Sequence, residues 1–88
     1  MKISRAHNLG SDEARKRIQK VALELEQRFS LRSEWQGEKL KFRGSGVKGD
    51  VAIADDSIEF NVELGFALMM MEGPIRSAIN SALDDHIA

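Results

Sequence analysis

The residues best suited to chemistry in this chain run Gly44-Ser45-Gly46-Val47-Lys48-Gly49-Asp50-Val51. The string matches the dinucleotide fingerprint and the glycine-rich loop of kinases, where backbone N–H groups come close to phosphate oxygens. The dinucleotide motif needs a helix after its glycines, so that the helix N-terminus faces the pyrophosphate. Here a strand-like alternation follows instead. A kinase loop does lie between strands, but 88 residues leave no room for the lobes that hold magnesium and substrate. The expectation is therefore a hairpin. In it Gly49 sits inward, opposite Leu40, leaving space for a bulky helix side chain.

The other reactive groups are sparse. His7 and His86 are the only imidazoles. Asp84-Asp85-His86 offers metal-ligand types, but adjacent helical residues point in different directions and cannot converge on one ion. A His7–His86 pair would still lack a carboxylate cluster to complete a site. His7 is expected in a turn and His86 at a fraying helix end. Asp55-Asp56 falls between two alternating runs and suits a hairpin turn. No serine sits in a nucleophile elbow. With no cysteine, disulfides and thiolate zinc sites are excluded. The basic run Arg15-Lys16-Arg17 with Lys20 is flanked by Asp12, Glu13, Glu24 and Glu26 and has no interleaved aromatics. It reads as a solvated helix face. Thirteen Lys+Arg against 14 Asp+Glu, a net charge of −1, lacks the basic excess of a nucleic-acid binder. The expectations are no enzyme activity, no cofactor, no metal and no nucleic-acid partner.

One segment stands out for a different chemistry. Gly65 to Met71 reads GFALMMM. The alternation of the preceding strand continues through Phe66, Leu68 and Met70, while Ala67, Met69 and Met71 make the second face apolar as well. Read as a strand, the segment overhangs its hairpin partner. It is then either core, covered by an N-terminal strand and helix ends, or a contact surface built from Phe66, Leu68, Met69, Met70 and Met71. Adaptable methionines suit such surfaces. An overhanging strand with unpaired backbone could join a second copy in a homodimer. The other candidate partner is a hydrophobic surface.

Positioning these residues falls to a small set of elements. Ala14, Ile18, Val21, Ala22, Leu25 and Phe29 recur at three- and four-residue steps, predicting a helix over Ser11–Phe29 with Ser11 as its cap. From Leu31 the period becomes two. Trp35, then Leu40 and Phe42, then Val47, Val51 and Ile53, then Ile58, Phe60, Val62 and Leu64 mark four strands. Two-residue turns at 37–38, 44–45 and 55–56 place Trp35 opposite Leu40, Phe42 opposite Val47, Val51 opposite Phe60 and Ile53 opposite Ile58, all on one face. The other face pairs Glu34 with Lys41, Lys39 with Asp50 and Lys48 with Glu63. It also sets Lys41 against Lys48 and Arg32 against Arg43. Gly73-Pro74 opens a second helix over Pro74–Ile87. Lys2 to Asn8 forms a short edge strand. The expected fold is a single α+β domain over 1–88, a four- to five-stranded antiparallel meander with two helices packed on one face. No apolar run is long enough for a membrane span, and Met1 to Gly10 shows no secretory signal, so a cytoplasmic location is expected.

The chain resembles the polyhydroxyalkanoic acid system family. The residues that carry the likeness are His7-Asn8-Leu9-Gly10 with Ala14, Trp35-x-Gly37-x-x-Leu40-x-Phe42, Gly46-Val47-x-Gly49, Leu64-Gly65, and Gly73-Pro74-Ile75 with Ile79 and Leu83. The likeness spans nearly the whole chain and consists of glycines and core positions. Its members are small bacterial proteins encoded near genes for polyhydroxyalkanoate storage granules. The resemblance implies an accessory role linked to those granules and carries no catalytic residues. The alternative from the residues alone is a small hydrophobic-ligand carrier, with a pocket between sheet and helices lined by Leu40, Gly49 and Val62.

Overall fold

The computed structural model describes residues 1–87. Its elements are β1 (Lys2–Ala6), α1 (Gly10–Phe29), β2 (Arg32–Gln36), β3 (Lys39–Gly44), β4 (Val47–Ile53), β5 (Ser57–Leu64), a 3₁₀ helix (Phe66–Met71) and α2 (Glu72–Ile87). The five strands form one antiparallel sheet in the order β1-β5-β4-β3-β2. The meander is β2 to β5, and β1 adds beside β5 with Ile3 opposite Phe60. This is the expected α+β fold, with the fifth strand present.

Period two in the strands puts Ile3, Leu40, Val51, Ile53, Ile58, Phe60 and Val62 on one buried face. The apolar stripes of both helices meet it through Ile18, Val21 and Leu25 of α1 and Ile75, Ile79 and Leu83 of α2. Fully removing such side chains from water stabilises the fold by roughly 1.5–3 kcal/mol each. The opposite sheet face carries Arg32, Lys41, Arg43, Lys48 and Glu63 into solvent.

Two hairpins keep the expected register, with Trp35 opposite Leu40 and Ile53 opposite Ile58. The middle one does not. Its turn is Ser45-Gly46 rather than 44–45, so Phe42 faces Gly49, not Val47, and Lys41 faces Asp50, not Lys48. The slip is two residues, so every side chain keeps its face. The physical reason is Gly46, which adopts φ +79 and supplies the left-handed turn conformation. Gly49 leaves no gap for a helix side chain. A Cβ there would overlap the Asn61 carbonyl oxygen and lie 2.8 Å from Phe42 Cζ. The Phe42 ring already covers the position.

The helix starts also differ from expectation. α1 begins at Gly10, and no side chain caps it from the Leu9 position. Ser11 does not act as the cap. Its backbone N–H donates instead to Asp55 Oδ1 at 3.2 Å, so the β4–β5 turn supplies the anion at the helix N-terminus. α2 begins at Glu72 because the 3₁₀ helix runs straight into it. Pro74 still lies in the first turn of α2.

Candidate functional site

The two imidazoles lie apart. His7 is buried at the β1–α1 junction. Its Nδ1 accepts the Leu9 N–H at 3.1 Å, so Nε2 carries the hydrogen and donates to the Ala54 carbonyl at 3.0 Å. Its own backbone N–H donates to the Asp56 carbonyl at 2.9 Å. The imidazole clasps the β4–β5 turn and has no nitrogen left for a substrate. His86 sits elsewhere, with Nε2 4.0 Å from Glu24 Oε1. Among the described residues no cluster of three His, Asp or Glu is placed to hold a metal ion. The basic helix run is partly structural too. The Arg15 guanidinium lies 4.6 Å from the Trp35 ring centre, and Arg17 donates to the His86 carbonyl at 3.3 Å.

A cavity of about 40 Å³ lies between α1, α2 and the sheet. Leu40 and Val62 line it, with Ile18, Leu25, Ile75 and Ile79. Gly49 does not, because Phe42 fills its place. Ligand pockets usually measure roughly 300–1,000 Å³. This space is a packing defect by comparison.

The segment after β5 is the unusual surface, and it is not a strand. β4 begins at Val47 opposite Leu64, so the chain past Leu64 has no partner on that side. On the other side β1 pairs with Ser57 to Asn61. With no ladder available, the backbone pairs locally as a 3₁₀ helix. Leu, Met and Ala also favour helix over strand. Gly65 makes the bend, its N–H donating to the Gly46 carbonyl at 2.7 Å. The Leu68 N–H then returns to the Gly65 carbonyl at 2.9 Å. The idea of strand addition by an overhanging edge therefore loses its basis, and so does pairing of Ile3–His7 with this segment.

Spacing within the 3₁₀ helix sorts its side chains. Residues three apart stack, giving rows Phe66–Met69, Ala67–Met70 and Leu68–Met71. Leu68 is half-buried and packs on the β3–β4 turn, its Cδ1 being 3.1 Å from where a Gly46 Cβ would stand. Phe66 is 91% exposed, Met70 93%, Met69 60% and Met71 45%. Four of the five expected contact residues are thus exposed, spread over the three rows, and Leu68 is the one packed on the sheet end.

A second feature adjoins it, of which the sequence predicts the Arg32–Arg43 pair but not the Arg43–Lys48 one. On the solvent face of the sheet, Arg32 lies directly opposite Arg43, and Arg43 opposite Lys48. A shallow depression at that sheet end is bordered by Arg43, Lys48 and Glu63 and by Gly46 and Gly65, the residues that seat the 3₁₀ helix. The expected register was two residues out at β3–β4, which hid the three-cation row.

No curated protein and no solved structure matches the chain. A family model does, over residues 1–87, under the description "Putative polyhydroxyalkanoic acid system protein (PHA_gran_rgn)". That match runs through β1, both helices and the 3₁₀ segment alike, and the chain belongs to the polyhydroxyalkanoic acid system protein family.

Proposed function

We propose that this protein is a non-catalytic accessory component of the polyhydroxyalkanoate system that docks on storage granules in the cytoplasm. The docking surface is Phe66, Met69, Met70 and Met71, held in place by Leu68. The observation that carries the reading is the near-complete exposure of Phe66 and Met70 on a helix tethered to the sheet. Burying each of these side chains against an apolar phase contributes roughly 1.5–3 kcal/mol before association costs. The family description supplies the polymer system. Both ring nitrogens of His7, the buried imidazole, are engaged in holding the fold, which favours a binding role over an enzymatic one. The cavity under the helices is too small to favour a carrier.

The test is fractionation of polymer-accumulating cells that express the wild type or the F66S/M70S variant. The wild type is expected to sediment with granules and the variant to stay in the supernatant. Both should show the same urea midpoint, since neither side chain is buried. A wild type found only in the supernatant refutes granule docking. If light scattering also gives a dimer that F66S/M70S abolishes, the surface serves self-association instead.

A further inference from the structure

We infer that the docking surface is amphipathic and that its partner is an anionic, amphiphile-coated surface rather than a bare apolar one. This deepens the granule-docking reading and rests on it. The carrying observation is the cross-strand row Arg32–Arg43–Lys48, whose Arg43 and Lys48 border the depression at the sheet end where Gly46 and Gly65 seat the exposed 3₁₀ helix.

Three features of the row point to an anion outside the protein. Like charges directly opposite one another on a sheet are destabilising. Here two such pairs occur side by side. Among the described residues, no ion pair involves Arg32 or Arg43, and only Lys48 is offset, by Glu63 at 3.5 Å. The row therefore keeps an excess positive charge that folding does not use. Moreover, the acidic groups Asp55 and Asp56 lie at the far end of β4, which spans Val47–Ile53. At about 3.3 Å per residue that separation is roughly 20 Å, more than twice the screening length of about 8 Å at physiological salt. Closer acids share the face, with Glu34 and Asp50 opposite Lys41 and Glu63 opposite Lys48, so the cations Arg32, Lys41, Arg43 and Lys48 exceed the carboxylates by one.

The apolar neighbour decides between anions. A cationic row alone would suit any polyanion. A cationic row beside Phe66 and Met70 suits a surface that offers negative headgroups and an apolar layer beneath them. Phe66 and Met70 would enter the layer while Arg32, Arg43 and Lys48 stay at headgroup level. Each basic side chain near such a surface strengthens binding by roughly fivefold.

The experiment is co-sedimentation of the full chain with three particles: phosphatidylcholine vesicles, vesicles mixed with phosphatidylglycerol, and bare polyhydroxyalkanoate particles. The wild type is expected to prefer the phosphatidylglycerol vesicles over pure phosphatidylcholine by roughly fivefold, what one net cation supplies. Added salt should erase that preference. R32Q/R43Q should lose roughly 25-fold on anionic vesicles, at about fivefold per cation, and keep its binding to bare polymer. Its urea midpoint should hold or rise, because two repulsive pairs are relieved. F66S/M70S should lose binding to every particle. Equal, salt-insensitive binding to both vesicle types overturns the inference. If bare polymer is still bound in that case, granule docking survives without it. Binding to duplex DNA as tight as to anionic vesicles, and unaffected by F66S/M70S, also overturns it.

Discussion

Gly49 shows how one residue constrains the sheet. It is a strand-interior glycine, which normally weakens a strand through lost packing and extra backbone entropy. Its position is nonetheless filled from both sides, by the Asn61 carbonyl oxygen and the Phe42 ring. One of the two obstacles is backbone and cannot swing away. Gly49→Ala is therefore expected to lower stability by about 1–3 kcal/mol, the usual cost of overpacking, read as a lower urea midpoint. Gly73 is the contrasting case. It lies in the first turn of α2, and a Cβ there meets nothing within 4 Å. Gly73→Ala should raise stability by a few tenths to about 1 kcal/mol, because alanine restricts the unfolded chain and favours the helix. A G49A variant as stable as the wild type would show that β4 and β5 can separate locally at this point.

At the scale of elements, two junctions hold the molecule's ends in place. The first is the His7 clasp between β1, α1 and the β4–β5 turn. His7→Ala removes the partner of the Ala54 carbonyl and of the Leu9 N–H. Unsatisfied groups of this kind cost roughly 1–3 kcal/mol each when shielded from water. A drop of about 2 kcal/mol in a urea melt is expected, less where water replaces the ring. The second junction is the 3₁₀ helix on the β3–β4 turn. Leu68 is its only half-buried side chain. Leu68→Ser should lower stability by about 1 kcal/mol, whereas Met70→Ser should stay within about 0.5 kcal/mol. If both variants behave alike, Leu68 is not the anchor and the exposed row has no fixed presentation.

The whole molecule is an uneven solid. β5 is paired on both sides, by β1 and β4, and carries the buried Ile58, Phe60 and Val62. The 3₁₀ helix contributes no buried residue, and its Leu68 N–H donates to the Gly65 carbonyl while Gly65 in turn donates to Gly46. Local opening follows buried contacts and ladder pairing. Amide hydrogen exchange should therefore be slowest in β5 and β4 and fastest in Phe66–Met71. Protection of that segment on addition of granules would map the docking surface directly. The layered arrangement also separates roles. One sheet face and the apolar stripes of both helices form the core, while the outer sheet face and the 3₁₀ end stay exposed.

Local patterning was enough for much of this. The helices at 3.6-residue spacing, the four alternating strands and their inward faces follow from which side chains avoid water, and that preference is written residue by residue. The outer hairpin registers followed as well, because Gly37-Glu38 and Asp55-Asp56 leave one compact turn each. Three features depended on the assembled sheet. The β3–β4 register turned on whether Gly44 or Gly46 takes the left-handed conformation, and both glycines allow it locally; the Phe42 ring over Gly49 belongs to the register that Gly46 selects. The first turn of α1 found its anion in Asp55, 44 residues away. Most consequentially, GFALMMM alternates well enough to be a strand and became a 3₁₀ helix because both candidate partners end before it begins. Hydrogen-bond partners across a sheet are a property of where neighbouring strands stop, and no residue of the segment itself carries that information.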